Sequence, residues 1–129
     1  MRVGFDYTEI TVFADAINKA SRVAEKDAEK VVFRGAIQIK KDGQRRIKGH
    51  PRLKRLPWSI DFDTYRSLRG PAAEIGPNHS KGQGPLGNVA EYGTINNPPI
   101  PFMGPAGEAE RPKFEKAMED LAIKALGLE

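Results

Sequence analysis

Apolar residues recur along the chain in distinct rhythms, and each rhythm predicts an element. Val3 and Phe5 share one face of a short strand over residues 1–6. Thr8 caps a helical run through Ile10, Phe13, Ala14 and Ile17, which Asn18 to Ser21 interrupts. Ser21 caps a second run, in which Ala24, Ala28, Val31, Val32 and Gly35 give a partly apolar face. Lys26, Lys30 and Arg34, interleaved with Glu25 and Glu29, form the opposite face and read as a solvated helix surface. Asp42-Gly43 predicts the end of this helix. Residues 42–57 then have no period and few large apolar residues beyond Ile47, Leu53 and Leu56, which predicts an exposed, mobile loop. Trp58, Ile60 and Phe62 alternate with Ser59, Asp61 and Asp63, the pattern of a half-buried strand that Tyr65 extends. After a turn over Arg66 to Gly70, a second strand over Ala72 to Gly76 completes a hairpin. The last rhythm is helical: Phe114, Met118, Leu121 and Ala125 lie on one face of a helix over Glu108 to Leu126. Pro112 falls in its expected first turn and Gly127 is its stop.

Between the hairpin and that helix lies a stretch of another kind. Ile75 to Pro105 holds six of the thirteen glycines and six of the ten prolines. Gly admits backbone angles that other residues avoid, and Pro fixes φ, so the stretch describes a path of turns. Val89, Tyr92, Ile95, Ile100, Phe102 and Met103 are large apolar residues spaced along it, which a disordered linker would not carry. It is therefore read as an ordered loop over 76–105. Tyr92, Ile100 and Phe102 are its anchors, buried in the core or against an adjoining subunit, and its glycines allow close backbone approach. Val89 to Thr94 fits a helical turn or a strand equally. Gly82-Gln83-Gly84-Pro85-Leu86-Gly87 is not a phosphate loop, because no Lys-Ser/Thr pair follows it.

These elements predict an α+β fold in one domain spanning 1–129. A small, mostly antiparallel sheet from 1–6, 57–65, 71–76 and part of 87–103 packs against a long N-terminal helix and the C-terminal amphipathic helix. Apolar residues make up 39% of the chain and the mean hydropathy is −0.54. Such a thin core suggests that neighbouring subunits contribute stability. With no cysteine there are no disulfides or zinc-thiolate sites, as suits the cytosol. No apolar run approaches the roughly 18 residues of a membrane span, and the N-terminus lacks the layout of a signal peptide.

Charge changes the picture more than composition does. The net charge is only +4, but Lys40, Lys41, Arg45, Arg46, Lys48, Arg52, Lys54 and Arg55 face Asp42 alone within one segment. Acids dominate after Gly107, with Glu108, Glu110, Glu115, Glu119, Asp120 and Glu129. The asymmetry suggests that the two regions meet different partners, or each other in neighbouring copies. The basic segment, exposed over about 40–56, reads as the lining of a passage for DNA, as a salt-bridged subunit contact, or as a solvated loop. It lacks the interleaved aromatics of single-strand recognition and matches no base-reading helix. His50 and His79 read as surface histidines, without a carboxylate spacing that makes a metal site. Asp61, Asp63, Glu74 and Glu91 are the acids available for a hydrolytic pair; Asp61 and Asp63 fall on one face of a strand, but so do ordinary solvent-facing acids. No catalytic, cofactor or metal residues are assigned.

Four segments, taken in order, carry a resemblance. They are Ile75-Gly76-Pro77, Gly82 to Asn88, Glu91-Tyr92-Gly93-Thr94, and Pro99-Ile100-Pro101-Phe102-Met103-Gly104-Pro105-Ala106. Together they resemble the tail-completion or head–tail connector (neck) proteins of long-tailed double-stranded DNA phages, which pair such motifs with a closing acidic helix. The match spans 75–126, and the first 70 residues share only the layout. Many members carry a T-G-x-L/R-x-S step before the sheet, where this chain has Arg52 to Ile60. The resemblance implies a non-enzymatic virion protein made in the host cytoplasm. It implies a homo-oligomeric ring of about six copies, contacting the tail terminator or tail tube and the connector, with no membrane. The competing expectation is a small protein that binds nucleic acid non-specifically through 40–55.

Overall fold

The computed structural model describes residues 22–68 and 70–127. The strand expected over 1–6 and the helical run from Thr8 to Ile17 lie outside them. Helix α1 spans Arg22–Ile47 and a short helix α2 spans Leu56–Ser59. Strands β1 (Ile60–Ser67) and β2 (Gly70–Pro77) follow, then a 3-10 turn over Gly84–Leu86, helix α3 (Gly87–Tyr92) and helix α4 (Met103–Ala125). The expected α+β class is the observed one.

Helix α1 runs past Asp42-Gly43 because its apolar stripe does. Ala28, Val32, Ala36, Ile39 and Ile47 are all buried, and Gly43 fills the gap in their spacing. Half of the basic segment is therefore helical. Asp42 supports this last stretch, since the Arg45 and Arg46 guanidiniums three and four residues on both bond its carboxylate. Residues 48–55 are ordered by successive turns, with Leu53 N–H donating to the His50 carbonyl at 3.1 Å and Leu56 N–H to the Leu53 carbonyl at 3.1 Å.

The hairpin is antiparallel, with Ile60 opposite Pro77, Phe62 opposite Ile75 and Ser67 opposite Gly70. It is the only sheet among the described residues. No strand forms over 87–103, where six residues make α3 instead. Trp58, expected on a strand, lies in α2 and is 78% exposed. Pro57 sits in the first turn of α2, where a missing N–H costs little. Its carbonyl accepts from Gln44 Nε2 at 3.1 Å, tying α2 to α1.

Helix α1 packs against both the hairpin and α4. Its approach to α4 is close because two of its residues lack side chains. A Cβ on Gly35 would lie 2.9 Å from the Phe114 ring, and one on Gly43 would lie 2.7 Å from Met103 Sδ. Helix α4 starts at Met103, five residues earlier than its apolar period shows. Pro112 is consequently inside the helix, on its exposed side, and Pro105 takes the first-turn position. Phe102, Met103, Ala106, Phe114, Met118 and Ala122 supply this helix's share of the core.

Candidate functional site

The loop between β2 and α4 is built on one buried acid. Glu91, 7% exposed, lies on the inner face of α3 with Ala90. Its carboxylate accepts from the N–H of Phe102 at 2.6 Å, of Met103 at 3.4 Å and of Gly104 at 2.6 Å. The first N–H groups of any helix lack intrahelical partners, and the helix N-terminus favours negative charge. The residue at the helix boundary, Phe102, has no side chain able to cap. Glu91 thus supplies the cap from 11 residues upstream of Phe102. The Ile100 N–H bonds the Ala90 carbonyl at 2.6 Å, so the returning limb of the loop is fixed to α3 as well.

Glycines make this compactness possible at two positions. A Cβ on Gly84 would sit 1.9 Å from the Asn78 carbonyl oxygen. Gly93 ends α3 with φ of +75°, and its α-carbon lies so near the next turn that a Cβ would meet Pro99 N at 2.8 Å. The expected close backbone approach is present at both.

The three expected anchors separate. Phe102 is fully buried and Ile100 packs, half-buried, on the core. Tyr92 is 63% exposed, so the intrachain form of its expected burial does not hold. The reason is helical geometry: Gly87, Ala90 and Glu91 take the inner face of α3, which leaves Val89 and Tyr92 on the outer one.

The basic segment lies beside this loop. Gln83 Oε1 accepts from the Arg55 N–H at 2.8 Å, and Gln83 Nε2 donates to the Arg52 carbonyl at 2.9 Å. The amide staples the segment 48–55 to the Gly/Pro stretch through backbone atoms, leaving both Arg side chains outside. Among the described residues, three of the eight basic residues meet acids: Lys40 reaches Asp61 at 3.9 Å, and Arg45 and Arg46 bond Asp42. Lys41, Lys48, Arg52, Lys54 and Arg55 are exposed and form no ion pair among the described residues. The segment is thereby divided into a helical half whose arginines are internally compensated and a turn half that presents open charge.

Of the acids named from sequence, Asp63 stands opposite Glu74 in the hairpin register, with Asp61 two residues along the same strand, whereas Glu91 is buried in α3. Asp61 accepts from Lys81 Nζ at 2.7 Å and from Asn78 Nδ2 at 3.3 Å. The Lys81 bond holds its carboxyl below the usual range, against the opposing effect of burial, with help from Asn78 and Lys40. For Asp42, burial pushes upward, but the bonds from Arg46 and Arg45 outweigh it and the net shift is downward. Burial raises Glu110, which lines a groove between α1 and α4 together with Asp42, against the pull of Lys113. His50 accepts from the Arg52 N–H through Nδ1 at 3.3 Å, a local turn contact. Among the described residues no group of three or more His, Asp or Glu is placed to hold a metal ion. No described helix is long and apolar enough to cross a membrane.

No model of a known protein family matches this chain, and neither does any curated protein or solved structure.

Proposed function

We propose that the chain is a structural protein of the head–tail junction of a long-tailed double-stranded DNA phage. In this reading several copies form a ring that completes the tail and joins it to the head or connector, and the protein performs no chemistry. The observation that carries the reading is the Glu91 cap. Glu91–Thr94 and Pro99–Ala106, the segments that bear most of the resemblance, are held together as one mechanical unit by that carboxylate. Three of its acceptor positions are taken by backbone N–H groups, which suits fixing a loop rather than moving a proton. The outcome is a rigid path that presents Tyr92 and Ile95 to a partner.

The test is assembly in the phage that encodes the protein. Without the chain, filled heads and finished tails should accumulate unjoined, and adding purified protein should join them. Electron microscopy of the purified protein should show closed rings. Joining at the normal level in its absence would overturn the proposal.

One observation favours a second reading, non-specific nucleic-acid binding: Lys48, Arg52, Lys54 and Arg55 are exposed together on a stapled turn segment. Affinity for duplex DNA that falls linearly on a log–log plot against salt, with joining unaffected by loss of the protein, would support it instead.

A further inference from the structure

We infer that the outer face of α3 with its basic border docks on the acidic outer face of α4 in a second copy of this chain, head to tail. The inference rests on the ring reading and names the two surfaces that the ring would use.

The first surface is apolar. Leu86, Val89 and Tyr92 follow at intervals of three on the side of the 3-10 turn and α3 that faces away from the core, and Ile95 is fully exposed just beyond. The α2 turn that bears Trp58 packs against the same 3-10 turn. Monomers rarely leave a contiguous set of large apolar residues in water, and Tyr, Trp and Arg are the residues that dominate interface energies. The border of this surface is positive: Gln83 holds the backbone of Arg52 and Arg55 against it, and neither arginine meets an acid among the described residues.

The second surface is its complement. Glu108, Pro112, Glu115 and Glu119 are exposed along α4 at steps of four, three and four. At about 100° per residue they fall within roughly 60° of arc, a narrow stripe. Lys116 pairs with Asp120 at 3.8 Å on the neighbouring arc, whereas Glu108, Glu115 and Glu119 form no ion pair among the described residues. Pro112 is the apolar member of this stripe. Glu115 lies 12 residues past Met103, at which the Glu91 cap fixes α3, so about 18 Å of helix separate it from that junction. The two surfaces are therefore distinct patches of one chain. A contact between unlike patches is the heterologous kind, which generates rings when the rotation closes.

The chain has no cysteine, which makes the pairing directly readable. Chains carrying Tyr92→Cys and chains carrying Pro112→Cys are mixed and treated with a short bis-maleimide. Cross-linked dimers are expected from the mixture and not from either variant alone. Charge reversal gives an independent arm. Arg52→Glu with Arg55→Glu should weaken assembly at least tenfold, Glu115→Arg with Glu119→Arg should do the same, and the fourfold variant should recover. A merely misfolded chain would not recover. The single Trp58 should shift its emission to the blue as the protein assembles.

Cross-linking of Tyr92→Cys to itself would mean that like surfaces meet and would overturn the inference. Rings that form without cross-links in the mixture would also overturn it while leaving the ring reading intact. A chain that stays monomeric at every concentration would take the ring reading down as well. If the arginine reversals left the mass unchanged but abolished DNA retention, the partner of the basic border would be nucleic acid, and the inference would be wrong.

Discussion

Glu91 shows how much one side chain carries. Its carboxylate is buried, which is costly for a charge, and it is retained because three helix-end donors surround it. Glu91→Ala should leave those donors unsatisfied and cost about 2–3 kcal/mol, lowering the melting temperature on the order of 10 °C. A melt within two or three degrees of wild type would show that water replaces the carboxylate without loss. Phe102 and Tyr92 make a second comparison, on the isolated chain at a concentration too low for assembly. Phe102→Ala should cost about 3–5 kcal/mol, whereas Tyr92→Ala should stay within about 0.5 kcal/mol, since only the first ring is buried. Equal losses would mean that Tyr92 packs within the chain in solution. Asp61 sets a pH dependence. Its folded pKa lies below the ordinary 3.8, so its contribution is present above that value and is lost as the pH falls through the lower folded one. Urea titrations from pH 6 downward should show Asp61→Asn losing less stability than wild type below about pH 4. Parallel curves would remove the Lys81 bond from the account.

At the scale of elements, close approach decides more than propensity does. Gly84 lies where the chain after β2 folds back on Asn78, and the obstacle to a side chain there is backbone, which cannot rotate away. Gly84→Ala should therefore destabilise by about 2–3 kcal/mol or prevent folding, although alanine is the better residue for a helical turn. Urea unfolding measures it, and a neutral result would mean that the loop re-forms at little cost. Elements with a full period of apolar residues were legible in the sequence. The stripe from Ala28 to Gly35, the alternation of Ile60 and Phe62, and the run from Phe114 to Ala125 each predict the element that is present. Shorter or remote determinants were not. Six residues of α3 span fewer than two turns, too few for a period to stand out. The start of α4 was hidden because its cap comes from Glu91 and not from the local Ser/Thr/Asp signal, and Pro112 marked a false beginning. The end of α1 lies beyond Asp42-Gly43 because Gly43, a stop signal by type, is here a notch for Met103. For the candidate site, sequence marked the stretch and the basic run. The staple through Gln83 and the exposure of Tyr92 depend on contacts between distant segments, which no local pattern records.

The whole molecule sorts its charges by whether they are answered inside the chain. Arg45 and Arg46 share Asp42, while Arg52 and Arg55 form no ion pair among the described residues. A count of eight positive charges thus overstates what a partner meets, and a single charge-neutralised variant of the whole segment would mix two effects. Assembly in salt separates them. The Debye length shortens from about 10 Å at 0.1 M to about 3 Å at 1 M, so exposed pairs between copies lose strength while the apolar part of the contact does not. With two or three such pairs, wild-type assembly measured by sedimentation should weaken about tenfold over that range. Arg52→Gln with Arg55→Gln should begin about tenfold weaker and then change little with salt. Arg45→Gln with Arg46→Gln should keep the wild-type response, and its loss should appear instead as a small fall in helix stability. If the second pair of changes abolished the salt response and the first did not, the ion pairs with Asp42 would have to open on assembly, and the helical half of the segment, not the stapled turn, would be the charged edge of the contact.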